Sequence, residues 1–235
     1  MKQQARGRTH RLAAVAAGAA TLGYSALLNR VLPPAIHVPG NLTAGVALAT
    51  GARQLGASVT DLGLAPQNAG RGARIGALVG VPIAGAIAAA AARPSTQPLF
   101  ADGRVRQLSI GRARYEAAVR IPLGTALGEE LIFRGALFGL LRRRHSTLTA
   151  VVASSLVFGL WHVLPALDGR HPRGDEWGDD DAGIAAPVAG NVAATTAAGV
   201  GFCVLRLWSG SIVAPTIVHA MVNTTAFVAA RATDD

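Results

Sequence analysis

The chain has few of the residues that build soluble surfaces and cross-linked folds. Cys203 is its single cysteine, which excludes an intrachain disulfide and a metal cluster built from cysteines. Charged residues make up only 15% of its 235 residues, whereas a soluble domain has about 25%. Because 51% of the residues are hydrophobic, too little polar surface remains to cover one or two soluble domains. The composition therefore predicts a polytopic membrane protein.

Lysine is almost absent as well, so the net charge of +9 comes from arginine. Basic chains often bind nucleic acid. Here the arginines stand at the ends of apolar runs, and aromatic residues that would interleave with them are only 5% of the chain. Membrane orientation and lipid headgroups explain this distribution better. We therefore expect the lipid bilayer as a partner and no nucleic acid.

Long runs with little or no charge predict an all-α, polytopic transmembrane helix bundle of about seven to eight helices, because about 20 apolar residues span a membrane. The predicted spans are residues 12–28, a weaker 41–59, 75–92, the charged 115–141, 147–167, 184–207 and 211–230. Alternation of the spans would place the arginine-rich segment 93–114 outside, which its arginines oppose. Either 41–59 does not fully span the membrane, or 93–114 lies on the membrane surface. If part of 93–114 inserts, it forms an eighth helix. We divide the chain into an N-terminal helical region, 1–114, and a region with the polar motifs, 115–230.

The two ends of the predicted first helix indicate its orientation. Residues 1–11 carry four basic residues and no acid, and no small-residue cleavage site follows the run 12–28. This pattern predicts an uncleaved helix with the N-terminus in the cytoplasm. The segment 168–183, with six acids, fits the outer side. The alanine-rich and arginine-rich composition is typical of a GC-rich bacterial genome, so we expect the bacterial cytoplasmic membrane.

Glu129, Glu130 and Arg134 are charged residues inside the mostly apolar run 115–141. Each costs about 2.5–3.5 kcal/mol at the centre of a membrane on insertion scales. Glu130 and Arg134 are four residues apart, so they share a helix face and can form an ion pair. Glu129 points about 100° away and is left without a partner. A role as general acid or base explains Glu129 better than packing does.

Two histidine motifs stand on separate predicted helices. His162 follows Phe158 by four residues, and a single histidine of this kind can simply bond to a neighbouring helix. His219 and Asn223 share one helix face, where they can polarise a carbonyl, hold an oxyanion, or join helices through polar contacts. Each motif alone fits either function or packing. Together with the glutamate motif, on three otherwise apolar helices, they favour function.

The residue types allow several assemblies. Glutamate and histidine converging on a water molecule would hydrolyse a peptide bond without a covalent nucleophile. Glu129, His162 and His219 are also competent zinc ligands, although the His-Glu-x-x-His motif is absent. Serine-type hydrolysis has no support, because Gly-x-Ser-x-Gly does not occur. A proton-coupled transporter uses the same residue types, and a non-proteolytic membrane scaffold is a further alternative.

The three motifs resemble those of the CPBP family of intramembrane proteases, the CAAX-protease and bacteriocin-processing group related to the type II CAAX prenyl endopeptidase. The family patterns Glu-Glu-x-x-x-Arg, Phe-x-x-x-His and His-x-x-x-Asn read here as residues 129–134, 158–162 and 219–223, within about 115–230. The resemblance implies a helical catalytic core in 115–230. It also implies an intramembrane endopeptidase that acts on a membrane-associated protein or peptide.

Carried over residue by residue, the resemblance also implies roles. Glu129 and His162 would activate the water, and Glu130 would assist through its partner Arg134. His219 and Asn223 would form the oxyanion side. The family has been described both as metalloprotease and as glutamic protease. Asparagine is a poor zinc ligand, which favours chemistry that requires no cofactor, with zinc as the alternative.

Overall fold

The computed structural model describes residues 2–168 and 181–232, with side chains for 15–167 and 185–232. These residues form helices and turns and no strands, which confirms the all-α prediction. The helices are α1 (Lys2–Arg30), α2 (His37–Gln54), α3 (Ala69–Ala91), the short α4 (Gly103–Arg106), α5 (110–142), α6 (Thr147–Trp161), the short α7 (Val163–Asp168), α8 (Asp181–Ser209) and α9 (Val213–Ala232).

Helix α5 is continuous but not regular. Two wide stretches with π-helical geometry, Glu116–Leu127 and Leu131–Leu137, flank a single α-helical turn, Gly128–Glu130, that carries both glutamates. Pro122 lies inside the first wide stretch, where it cannot donate a backbone hydrogen bond. Wide turns of this kind occur mostly as short insertions and often at functional sites. The candidate glutamates therefore stand on the most irregular helix of the bundle.

Four segments among the described residues are long and apolar enough to cross a membrane: Pro66–Ala91, Thr147–Leu167, Ala185–Ser209 and Val213–Ala232. They correspond to the predicted spans 75–92, 147–167, 184–207 and 211–230. The acidic segment that we assign to the outer side lies mostly outside the described residues.

The predicted boundary of the second span is wrong. Helix α2 ends at Gln54 rather than at residue 59, because Gly56 has a φ of 86° and Ala57 N bonds back to Ala52 O at 3.0 Å. A positive φ is the conformation in which glycine commonly ends a helix. The span is therefore shorter at its C-terminal end than hydropathy indicates.

Glycines let the helices approach closely. Helix α9 packs along α3, where a Cβ on Gly76 would lie 2.9 Å from the Ile217 Cβ. Helix α2 packs on α5, where a Cβ on Gly128 would lie 2.8 Å from the Asn41 Cβ. Small residues drive association of helices in membranes because they allow this approach. These contacts, with α8 against α6, bring the three motif helices α5, α6 and α9 into one bundle.

Candidate active site

Glu130 lies at the centre of a buried polar network. Its Oε1 accepts hydrogen bonds from Arg134 Nη1 and from His219 Nδ1, each at 3.0 Å. Both Glu130 and Arg134 have no exposed side-chain surface. The second guanidinium nitrogen, Arg134 Nη2, donates to Gly199 O at 3.2 Å. The predicted pair on α5 is therefore present, and it connects α5 to α9 through His219 and to α8 through Gly199.

Glu129 is also buried but differs in its partners. Its side chain is 6% exposed, and its Oε2 has no hydrogen-bond partner among the described residues. His219 Nε2 lies 3.9 Å from that oxygen, beyond hydrogen-bond length. With Glu130 ionised, His219 Nδ1 is the donor, so Nε2 of the neutral ring is an acceptor. These two atoms therefore face each other without a direct hydrogen bond between them.

Aromatic rings enclose this network. The Phe202 ring stacks on the His219 ring with a centroid distance of 4.8 Å and an angle of 19°, and Phe158 meets the same ring edge-on at 6.0 Å. The guanidinium carbon of Arg134 lies 4.2 Å from the Phe158 centroid and 5.0 Å from the Phe202 centroid. Desolvated cation–π contacts of this kind are worth about 2 kcal/mol. They fix the arginine and the imidazole and keep bulk water out.

His162 approaches the network from the other side of Phe158. Its Nδ1 lies 2.8 Å from the Phe158 carbonyl oxygen, and its ring meets the Phe158 ring at 4.7 Å. A carbonyl only accepts, so Nδ1 is the donor and Nε2 of the neutral ring is an acceptor. Phe158 therefore contacts both candidate histidines with one side chain. This contact places the Phe-x-x-x-His motif next to the His-x-x-x-Asn motif.

Asn223 is the predicted site residue that the structure does not join to the others. It lies one helical turn after His219 on α9 and is half-buried. Its amide makes no side-chain hydrogen bond within the described part of the chain, whereas Glu129, Glu130, Arg134, Phe158 and His219 are linked to one another by the contacts above. Asn223 is thus available for a ligand without being part of the network.

Two residues that complete the network carry no functional signal in the sequence. Gly199 and Phe202 lie in an apolar run of α8 that contains other glycines and no charge before Arg206. A Cβ on Gly199 would lie 3.0 Å from the Ser155 Cβ and 3.2 Å from Arg134 Nη2. Only glycine lets α8 come close enough for its carbonyl to accept from Arg134. Neither residue carries a polar signal that periodicity could have detected.

A metal ion does not fit the arrangement of the described residues. No group of three or more histidine, cysteine, aspartate or glutamate side chains among them is arranged to hold one. Two of the candidate zinc ligands, His162 and His219, use Nδ1 for the Phe158 carbonyl and for Glu130, which leaves Nε2 of each ring for another partner. We therefore derive no step that passes through a metal.

The comparison with known families points to the same part of the chain. Residues 115–225 match the family described as type II CAAX prenyl endopeptidase Rce1-like. The matched residues contain all three motifs, and with them most of α5, all of α6, α7 and α8, and about two thirds of α9. Neither the curated proteins nor the solved structures include a match to the chain. The match over residues 115–225 supports the resemblance to CPBP intramembrane proteases that the three motifs show.

Proposed function

We propose that the protein is an intramembrane endopeptidase in which Glu129 activates a water molecule to hydrolyse a peptide bond. The observation that carries the proposal is the buried Glu129 Oε2, which lacks a hydrogen bond and faces His219 Nε2 at 3.9 Å. A buried carboxylate without a partner is costly in an apolar bundle. In a chain that matches an endopeptidase family, a role in catalysis accounts for that cost.

The reaction follows from the two facing acceptors. A water molecule donates its two hydrogens to Glu129 Oε2 and His219 Nε2, which leaves an oxygen lone pair to attack the peptide carbonyl carbon. As the C–O bond forms, one proton passes to Glu129, and the carbonyl oxygen takes the negative charge. Glu129 then gives this proton to the amine nitrogen, the C–N bond breaks, and an amine and a carboxylic acid leave. The acid releases the second water proton to solvent as it becomes a carboxylate. General acid–base help of this kind contributes about 10²–10⁴-fold in rate.

Glu130 and Arg134 support this chemistry without touching the reacting atoms. Arg134 supplies a positive charge that pairs with the Glu130 carboxylate. Ionised Glu130 in turn keeps the proton of His219 on Nδ1 and directs Nε2 towards Glu129. Orientation of an imidazole by a second carboxylate recurs in hydrolases. Arg134 and Glu130 are therefore positioning residues in this proposal.

The remaining motif residues fit the oxyanion and the water. Asn223 offers two amide hydrogens one turn along α9, so it can stabilise the oxyanion. His162 Nε2 is a second acceptor that can orient the attacking water. The resemblance implies His162 as the partner of Glu129 on the water and His219 on the oxyanion side, so our assignment of His219 differs from it. Both assignments stay predictions.

The substrate that we propose is a membrane-associated protein or peptide. The catalytic groups stand in segments that are mostly apolar, so a soluble substrate would have to leave water to reach them. The family description names a prenyl endopeptidase, but nothing around the site selects a prenylated substrate over an unmodified one. The bacterial cytoplasmic membrane, with the N-terminus in the cytoplasm, remains our expected location.

The direct test is hydrolysis of a library of membrane-anchored peptides by the protein reconstituted in liposomes. We expect Glu129→Ala to abolish cleavage. Glu116→Gln is a matched control, because Glu116 is another buried carboxylate of α5 but is paired with Arg112 and Arg120. Wild-type activity in the Glu129 variant would overturn the proposal. Proton-coupled uptake without any hydrolysis would instead support the transporter alternative.

Cofactor dependence is tested separately. We propose that hydrolysis needs no metal, so exhaustive chelation followed by removal of the chelator should leave the cleavage rate unchanged. Metal analysis of the purified protein provides the second measurement. A stoichiometric zinc content, together with activity that is lost on chelation and restored by zinc, would contradict this part of the proposal.

A further inference from the structure

Helices α1 and α2 lie outside the family-matched residues, yet they bond to the backbone on both sides of the candidate site. Two of their side chains make these contacts, Ser25 on α1 and Asn41 on α2, and Tyr24 on α1 bonds to Asn41. Ser25 and Asn41 are 3% and 5% exposed. Buried polar side chains in apolar helices need partners, and these partners stand next to catalytic candidates.

Ser25 satisfies a carbonyl that its own helix cannot satisfy. In a regular helix the Trp161 carbonyl accepts from the residue four positions on, which here is Pro165 and has no N–H. Ser25 Oγ donates to Trp161 O instead, at 3.1 Å. Trp161 directly precedes His162, where α6 ends. The hydroxyl of α1 therefore holds the peptide unit that sets the direction of the His162 side chain.

Asn41 makes the corresponding contact on α5. Its Nδ2 donates to Gly124 O at 2.9 Å, within the wide stretch that leads directly to Glu129. The close packing of Gly128 against Asn41 brings α2 to within one turn of the glutamates. Wide helical turns leave some backbone carbonyls without a well-aligned N–H donor. The Asn41 amide donates to Gly124 O and so stabilises the backbone that leads to Glu129.

Tyr24 connects the two contacts. Its hydroxyl donates to Asn41 Oδ1 at 3.1 Å, and its ring packs against the Trp161 ring at 5.9 Å. A continuous path of contacts thus runs from the backbone before His162, through α1 and α2, to the backbone before Glu129. A further contact connects α6 directly to α5, because the Ser154 hydroxyl donates to Phe133 O at 3.2 Å.

We infer that Tyr24, Ser25 and Asn41 are positioning residues that hold His162 and Glu129 in their relative places. The inference rests on the proposed function, because it gives a catalytic purpose to residues that do not touch the reacting groups. It gives the N-terminal region 1–114, which lies outside the family match, a part in arranging the active site.

The kinetic test compares hydroxyl deletions on one helix. Ser25→Ala removes the bond to Trp161, and Tyr24→Phe removes the bond to Asn41 while keeping the ring. Thr21→Val is the matched control, because Thr21 is 1% exposed and its hydroxyl bonds only within α1, to Ala17 O at 2.8 Å. We expect kcat to fall about 10-fold to 100-fold in both test variants, with KM within about twofold, since small misplacements have effects of that size.

Ser25→Thr, which keeps a hydroxyl, should recover most of the lost kcat. Melting temperatures should fall equally in Ser25→Ala and Thr21→Val. If Ser25 has only a structural role, kcat of Ser25→Ala and of Thr21→Val should fall only in proportion to the folded fraction of each protein. Equal kcat values for the two variants would overturn the inference.

A readout that needs no protease activity separates this inference from the proposed function. The ¹⁵N signals of labelled histidine rings, assigned with His162→Gln and His219→Gln, report the surroundings of each imidazole. We expect Ser25→Ala to shift the His162 signals and Thr21→Val to leave them in place. Unshifted His162 signals in Ser25→Ala would overturn the inference. An inactive wild-type protein with the expected shifts would overturn only the proposed function.

Discussion

At the scale of single residues, the network around Glu130 depends on the shape of one side chain. Arg134 donates from two nitrogens to acceptors on different helices, Glu130 Oε1 and Gly199 O. A planar guanidinium can do this, whereas the ammonium of lysine is a compact point charge on a flexible stem. Charge alone therefore does not explain this arginine. The planar shape of the Arg134 guanidinium explains it, because two of its nitrogens link the Glu130 carboxylate to α8.

Replacement of Arg134 should accordingly have a large effect on stability. We expect Arg134→Ala to lower the free energy of unfolding by about 3–5 kcal/mol, because it leaves the fully buried Glu130 uncompensated. Denaturant unfolding in detergent measures the change. Arg104→Ala removes the exposed pair with Asp102, and for an exposed pair we expect less than about 1 kcal/mol. Equal losses in the two variants would contradict the buried network.

Sequence spacing predicts part of this residue-scale picture and misses part. A separation of four predicts the Glu130–Arg134 pair, and it leaves Glu129 without a partner on its own helix. Spacing along one helix cannot show that His219 bonds to Glu130, because this contact joins residues far apart in the chain. Phe202 and Gly199 are also unpredictable, since neither differs in type from its apolar neighbours.

At the scale of helices, the candidate site depends on how closely α2 and α5 approach. Gly128 precedes the two glutamates and packs directly on Asn41. Hydropathy locates both helices, but it cannot give this distance or the wide turns of α5. It also places the end of α2 too late, because the positive φ of Gly56 is a backbone property that a hydropathy average does not register.

The close approach predicts a difference between two glycines. A Cβ on Gly128 would lie 2.8 Å from the Asn41 Cβ and 3.3 Å from the Asn41 carbonyl carbon, whereas one on Gly85 of α3 would have nothing within 4 Å. We expect Gly128→Ala to destabilise the protein by about 1–3 kcal/mol through overpacking. Gly85→Ala should be neutral or slightly stabilising, because alanine is the better helix former. Thermal unfolding of both variants checks this, and equal behaviour would refute the close contact.

At the scale of the whole molecule, the loops at one end of the bundle are held together by arginines. Arg206 Nη2 donates to the carbonyls of Thr60 and Asp61, at 2.9 and 3.0 Å, and Arg143 pairs with the Asp61 carboxylate at 3.3 Å. The connections after α2, α5 and α8 therefore lie at the same end. Composition predicts the membrane class, and alternation of spans then predicts that this basic end is cytoplasmic.

Orientation is measurable with single cysteines. In a Cys203→Ser background, we expect a cysteine at Arg144, at the end with the arginine contacts, to resist a membrane-impermeant thiol reagent in intact cells. It should react after permeabilisation. A cysteine at Asp102, which precedes α4, should react in intact cells. The positive-inside rule places the arginine end in the cytoplasm, and alternation of the spans then places Asp102 outside. The opposite labelling pattern would reverse the assigned topology.

The central claim is that Glu129 and His219 act on one water molecule, and a double-mutant cycle of cleavage rates tests it most directly. The account predicts that Glu129→Gln and His219→Gln each lower kcat by about 10²–10⁴-fold. Residues that act as a unit are non-additive, so the double variant should lose little more than either single one. Independent, multiplying losses, or a Glu129→Gln variant with the wild-type kcat, would contradict the account.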